Sequence, residues 1–300
     1  MLRSILSRMI GERQKRAIVS RVNEGKRVLA SALRGYDGAK LKARLRSAGI
    51  AESDTVLVHS NFKPDSGFRG APLDLVNALV DTVGEKGNLL MVSIPFRGAA
   101  YDYLAQGKRF DVRKTLSMMG LVTEMFRRRP GTLRSLHPTH PVLALGKDAE
   151  RLVRHHEQCL YPCGPGSPFE KFREMKGKLL FFDVSFRSIT FFHYVEDLFK
   201  ERLPFPVYSD RLFEVPAVDE NGKSVVIRTY AFNSEAVRMA GKLEAEMSRT
   251  GRIKKGRIGN SSFVLATAED VVACFSEMIE AGNLPYEVVK RESTAEGSRQ

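Results

Sequence analysis

The 300-residue chain predicts an α/β protein with a mixed, largely parallel central sheet flanked by helices, and an antiparallel hairpin near residues 212–230. Three observations lead there. Short apolar runs recur at 54–60, 88–94 and 178–184, the pattern of strands buried on both faces. Segments with helical periodicity lie between them, such as 72–83 with Leu73, Val76, Leu79 and Val80. Residues 212–230 alternate around Asn221-Gly222, a favoured hairpin turn.

Taken in order, residues 2–34 read as helix. Leu2, Ile5, Leu6, Met9 and Ile10 fall at i, i+3, i+4, i+7 and i+8. A second apolar set follows at Ile18, Val22, Leu29 and Leu33, interrupted by Asn23-Glu24-Gly25. Gly35 to Gly38 punctuates, and helix 39–48 leads into strand 54–60. Helix 72–83, closed by Gly84, precedes strand 88–94. The pattern repeats loosely: a helix near 119–129, strand 140–146, helices 148–157 and 168–175, strand 178–184 and helix 189–200. Helices near 234–249 and 268–281 follow the hairpin, and no 20–50-residue repeat is visible. The expected organisation is a basic amphipathic helical extension at 1–46 and one domain at 47–300.

Hydrophobic and charged fractions of 43% and 28% are those of a globular protein. No apolar run approaches the ~18–20 residues needed to span a bilayer, and no stretch reads as a secretory signal. Three cysteines, Cys159, Cys163 and Cys274, are too few for a disulfide framework, so a cytoplasmic setting is expected. The net charge of +13 is concentrated: residues 1–50 hold thirteen Lys/Arg against three Asp/Glu. The body is therefore nearly balanced, and nucleic acid is not an expected partner. The basic extension suits peripheral contact with an anionic membrane face, or packing on the body or a second copy; a presequence is a further reading.

The chain lacks GxxxxGK[ST], GxGxxG, HExxH and GxSxG, which removes P-loop hydrolysis, the usual dinucleotide site and the commonest zinc protease pattern. His155, His156, Cys159 and Cys163 do not have zinc spacing, so no metal is expected. Three stretches remain: 58–64, 134–141 with 164–168, and 190–196. In open α/β sheets, ligands bind at the carboxyl ends of strands, where hydroxyls and free N–H groups suit phosphates. His193, set among Phe191, Phe192 and Tyr194, is on spacing alone either a core histidine or a base in a dry pocket.

Read together over about residues 40–281, these stretches resemble the aminoglycoside 3-N-acetyltransferase (antibiotic N-acetyltransferase) family. The resemblance rests on LVHSNFKP, RSLHP with a short strand ending at Gly146, GPGSP, LLFFDVSFRSITFFHYVE and GRIGNSSF, in that order. It implies a mixed α/β enzyme that takes an acetyl group from acetyl-CoA and places it on an amine of an amino sugar, by direct transfer. Thr190, His193 and Glu196 match the family's Thr, His, Glu motif, which makes His193 the general base. His59, Ser60, Asn61, His137, Ser167 and Thr190 match positions that contact the cofactor. Lys63 is a pyrophosphate partner on charge alone, or a solvated surface lysine.

Two departures matter. The family's acid beyond the hairpin is missing from Tyr230–Glu235, leaving Glu235 first among the carboxylates expected to assist His193, with Glu196 and Asp183 behind it. Arg187 stands where an acidic residue is usual, and Asp183 replaces a glycine; both are expected near the substrate. A cation there repels a polycation and attracts an anion. The expectation is thus an anionic amino sugar, nucleotide- or lipid-phosphate-linked, of a surface glycan pathway. The alternatives are a true aminoglycoside-modifying resistance enzyme, an O-acetylating enzyme, or a non-catalytic CoA-binding relative.

Overall fold

The computed structural model describes residues 12–233 and 236–288. Its strands are β1 (Thr55–Ser60), β2 (Asn88–Val92), β3 (Phe110–Asp111), β4 (Leu133–Arg134), β5 (Val142–Gly146) and β6 (Lys178–Phe182). They continue with β7 (Tyr208–Val218), β8 (Ser224–Phe232), β9 (Ala236–Arg238), β10 (Lys254–Ile258), β11 (Ser261–Thr267) and β12 (Tyr286–Val288). Seven strands form the main sheet in the order β10-β11-β6-β1-β2-β5-β4. The mixed α/β fold is as expected, but within this sheet parallel pairing is confined to β6-β1-β2; its other four ladders are antiparallel. β11 arrives from a hairpin with β10 and so runs against β6. β5 returns directly beside the end of β2, where Ser93 N–H donates to the Pro141 carbonyl at 2.7 Å. That return carries residues 134–141 to the same carboxyl edge at which β1 and β6 end.

Side chains of β1, β2 and β6 alternate between two buried faces. Leu57, Leu90, Leu179 and Phe181 pack on one side against helices Phe192–Leu198 and Ala268–Glu280. Val56, Val58, Leu89, Met91, Leu180 and Phe182 pack on the other against helices Gly38–Ala48, Pro72–Val83 and Leu121–Arg127. A large apolar side chain fully withdrawn from water contributes roughly 1.5–3 kcal/mol, so both faces hold the sheet firmly.

Asp37 caps helix Gly38–Ala48, accepting from Lys40 N–H at 2.9 Å, and Gly49 ends it at φ +118°. Leu41 and Leu45 bury its inner face, so this helix belongs to the packed body although its charge groups it with the basic extension. Helix Glu12–Arg34 runs unbroken through Gly25 and touches the body near Ala30. Val22, Leu29 and Leu33 on it stay exposed.

The expected hairpin is β7–β8, turning at Asn221-Gly222 with Gly222 at φ +84°. The expected helix 148–157 is instead Ala149–Val153 followed by a short turn at His156–Gln158, and helix 189–200 begins only at Phe192. The expected helix at 234–249 starts at Ala240, because the preceding residues pair as β9 with β12, Arg238 opposite Tyr286. GRIGNSSF is the β10–β11 hairpin; at Gly259, φ +56°, an added Cβ would meet the Arg34 carbonyl oxygen at 2.6 Å.

Candidate active site

Strand β6 ends at Phe182, and Asp183 turns the chain in the left-handed region at φ +57°. A short turn follows at Phe186–Ser188, then the helix Phe192–Leu198. His193 lies in that helix's first turn, and Glu196, three residues on, shares its face. His193 Nδ1 and Glu196 Oε2 are 2.7 Å apart. Arg238 Nε, on β9, donates to the same carboxylate at 2.8 and 2.9 Å, and its Nη1 donates to the Asn233 carbonyl at 3.3 Å. The result is a chain of imidazole, carboxylate and guanidinium drawn from two distant segments.

Glu196 is fully buried, whereas the His193 side chain keeps 21% of its surface exposed. Burial pushes the Glu196 carboxyl upward, but the His193 hydrogen bond and Arg238 outweigh it and hold the group below the usual value. Burial pushes His193 down; Glu196 opposes and Arg238 adds to the fall, so the imidazole titrates below 6.5. A neutral imidazole facing an ionised carboxylate donates its Nδ1 hydrogen to it. That leaves the Nε2 lone pair free to accept a proton. Phe232, at the end of β8, lies on the His193 ring at 4.3 Å and 30°, and the His140 ring stands 5.4 Å away at 75°.

A second polar group sits at the ends of β1 and β6. The Thr190 N–H donates to His59 Nε2 at 3.2 Å, with Thr190 Oγ1 at 3.3 Å, and His59 stacks on Phe181 at 4.9 Å. Burial lowers His59 to about 4, so it is neutral with its hydrogen on Nδ1. That Nδ1 and the neighbouring Ser60 Oγ are buried without hydrogen-bond partners. Asn61 is exposed, and Lys63 Nζ lies 3.3 Å from Asp183. The arrangement has the polar donors that a thioester or phosphate ligand needs at a strand-end crevice.

Several expected residues are placed otherwise. His137 is fully buried, stacked on His156 at 4.5 Å, and its Nδ1 accepts from Thr139 N–H at 3.3 Å. Ser167 is fully buried as the cap of helix Pro168–Glu174, its hydroxyl accepting from Glu170 N–H. In this fold neither side chain has exposed surface. Asp183 is buried as well: it accepts from Ser261 Oγ at 2.6 Å and Ser262 N–H at 3.1 Å, which ties β6 to β11 and leaves little of it for substrate. Arg187 is exposed and lies against Gly241 at the next helix. Glu235 lies outside the described residues.

Arg238, Phe232 and His140 were not singled out by sequence. Only His140 carried a local signal, as the second histidine of RSLHPTHP. The other two come from separate strands. Among the described residues, no group of three His, Cys, Asp or Glu is arranged to hold a metal ion. A groove of about 1050 Å³ lies apart from His193, along Arg113, Arg134 and Arg154 with Glu150 and Asp219. Its size does not make it the reaction centre, because His193, Glu196 and Arg238 are not among the residues that line it.

The aminoglycoside 3-N-acetyltransferase family model matches residues 57–280. The chain belongs to that family. Aminoglycoside N(3)-acetyltransferase III from Salmonella sp. is 26% identical over 251 residues, 76% of this chain and 86% of that protein. The crystal structure of aminoglycoside acetyltransferase AAC(3)-Xa superposes with TM-score 0.74 at 25% identity, covering 88% of this chain and 99% of that one. AAC-IIIb, solved as a binary complex with CoASH, superposes with TM-score 0.69 at 25% identity, covering 82% and 97%. The family read from the motifs therefore stands, and with it the N-acetyltransferase class. The anionic surface-glycan acceptor does not stand beside it. The matched names are those of aminoglycoside enzymes, and Arg187, on which the anion argument rested, packs on Gly241 in the open.

Proposed function

We propose that the protein transfers an acetyl group from acetyl-CoA to an amine of an aminoglycoside-type amino sugar, with His193 as general base. The observation that carries this reading is the His193–Glu196–Arg238 chain, in which the part-exposed imidazole of His193 is held neutral with Nε2 available. An amine attacks only after losing its ammonium proton, and a neutral imidazole accepts that proton. As the amine nitrogen bonds to the acetyl carbon, the carbon–sulfur bond breaks. The ammonium proton taken by His193 passes on to solvent, and the second proton that the nitrogen sheds as it becomes an amide goes through His193 to the departing thiolate, giving free CoA thiol. Glu196 orients the imidazole and steadies its cationic form; Arg238 keeps Glu196 ionised. His59, Ser60, Asn61, Lys63 and Thr190 are the contacts we assign to acetyl-CoA, since Ser60 Oγ and His59 Nδ1 still lack partners.

The test is acetyl-CoA-dependent thiol release by the purified protein, with aminoglycosides and nucleotide-linked amino sugars side by side. Turnover on aminoglycosides, falling on the order of 10²–10⁴-fold in His193→Ala, is expected. Turnover confined to the nucleotide-linked sugars would overturn the acceptor, and an active His193→Ala would overturn the base.

For the N-terminal helix the reading is peripheral contact with an anionic membrane surface. Seven Lys/Arg stand against two Glu over Glu12–Arg34, beside exposed Val22, Leu29 and Leu33.

A further inference from the structure

We infer that His140 is a second catalytic residue, a neutral imidazole that donates a hydrogen bond to the thioester carbonyl oxygen while His193 takes the amine proton. The inference rests on the acetyl-transfer reading above. The His140 ring centre is 5.4 Å from His193 and 5.2 Å from Phe232, at 75° to each, while His193 and Phe232 overlie one another at 4.3 Å. His140 thus forms one wall of a corner whose other wall carries the base. Of the buried histidines 137, 140 and 156, it is the one in ring contact with His193.

Its surroundings differ from those of His193 in a way that sets a different task. No described carboxylate bonds to it, and burial together with the nearby His193, His156 and Arg238 keeps it uncharged. A neutral imidazole has one N–H to give and adds no second cation beside the amine. Its Nδ1 has no partner within the fold although the residue is only 3% exposed. A buried nitrogen left unpaired costs about 1–3 kcal/mol, and such atoms have an explanation where a ligand completes the bond. By contrast, His156 Nε2 donates to the Pro162 carbonyl and its Nδ1 accepts from Ser135, both at 2.8 Å, so His156 is fully used.

The backbone around His140 is also braced. Pro138 and Pro141 flank it, Ser93 N–H holds the Pro141 carbonyl, and Val142 N–H donates to Ser135 Oγ at 2.8 Å. Arg134 Nη2 ties the segment to the Ser93 carbonyl at 2.8 Å. Negative charge develops on the acetyl oxygen as nitrogen adds and before sulfur leaves. A donor fixed in place beforehand lowers that barrier without reorganising, which is how oxyanion donors act.

The experiment uses the full chain with two acceptors, an aminoglycoside and hydroxylamine. Hydroxylamine is largely neutral at pH 7 and needs no base, yet its acetylation passes through the same oxyanion. His193→Gln is expected to lose transfer to the aminoglycoside and to keep transfer to hydroxylamine. His140→Phe is expected to lose kcat on the order of 10²-fold with both acceptors while the KM for acetyl-CoA moves little. His140→Asn sets an amide near the Nδ1 position and should recover about tenfold of that loss; His140→Gln, one bond longer, should not. Unchanged kcat in His140→Phe overturns the assignment, as does a loss confined to the aminoglycoside, or a folded His140→Asn no better than His140→Gln. A wild type active on hydroxylamine alone overturns the acceptor reading and leaves the His140 comparison intact. A wild type inert toward both overturns the two together.

Discussion

At the scale of single residues, the deciding feature is how much of each imidazole water can reach. His193 and Glu196 are neighbours on one helical face, so their pairing follows from spacing three apart. The guanidinium that completes the chain, Arg238, is forty-two residues further on and bonds Glu196 through both oxygens. Arg238 lowers the His193 pKa, so its removal must raise it. In Arg238→Gln the acid limb of kcat/KM is expected to move to higher pH, because the base stays protonated until a higher pH is reached. A limb that stays put or moves down would show that the charge of Arg238 does not set the titration of the base. The variant is also expected to melt lower, since it leaves a buried carboxylate half-paired.

At the scale of elements, the reaction centre is assembled where three connections end: β6 into helix Phe192–Leu198, β8 at Phe232, and the return from β2 into β5 carrying His140. The N-terminal helix stands outside that assembly. It meets the body near Ala30 and at its last turn, where Gly67 and Gly259 each approach the Arg34 carbonyl so closely that an added Cβ would sit at 2.6 Å. Removing residues 1–28 is therefore expected to leave kcat and melting temperature nearly unchanged. Sedimentation with anionic vesicles should be lost in the same truncation and weakened by salt. Equal sedimentation of the two proteins would remove the membrane reading, and a truncated protein that no longer folds would show the helix to be part of the core.

At the scale of the whole molecule, the carboxyl edge of the sheet encloses several imidazoles that stay neutral. Burial lowers His59 to about 4 and His156 to about 3, against 6.5 when unfolded. The unfolded chain thus binds more protons between those values. The stability these groups permit is complete above pH 6.5 and is lost as pH falls through that window. Each such imidazole costs about 2 kcal/mol by pH 5. The urea midpoint is accordingly expected to drop clearly between pH 7.5 and pH 5; a flat midpoint would show that water reaches these rings.

The order of strands and helices was legible because periodicity is local: apolar runs made β1, β2 and β6, and Asn221-Gly222 made the hairpin turn. His193 and Glu196 were legible for the same reason, lying on one helical turn. The sequence by itself determined those elements, the concentration of charge in the first fifty residues, and the motif order that marks the family. Only the tertiary structure decided that parallel pairing in the seven-stranded sheet stops at three strands and that His137 and Ser167 are shut inside. It also decided that Asp183 is tied to Ser261 and that Arg238 and His140 meet the base. The reason is physical: burial and long-range pairing depend on which segments the sheet brings edge to edge, and no spacing along the chain encodes that contact.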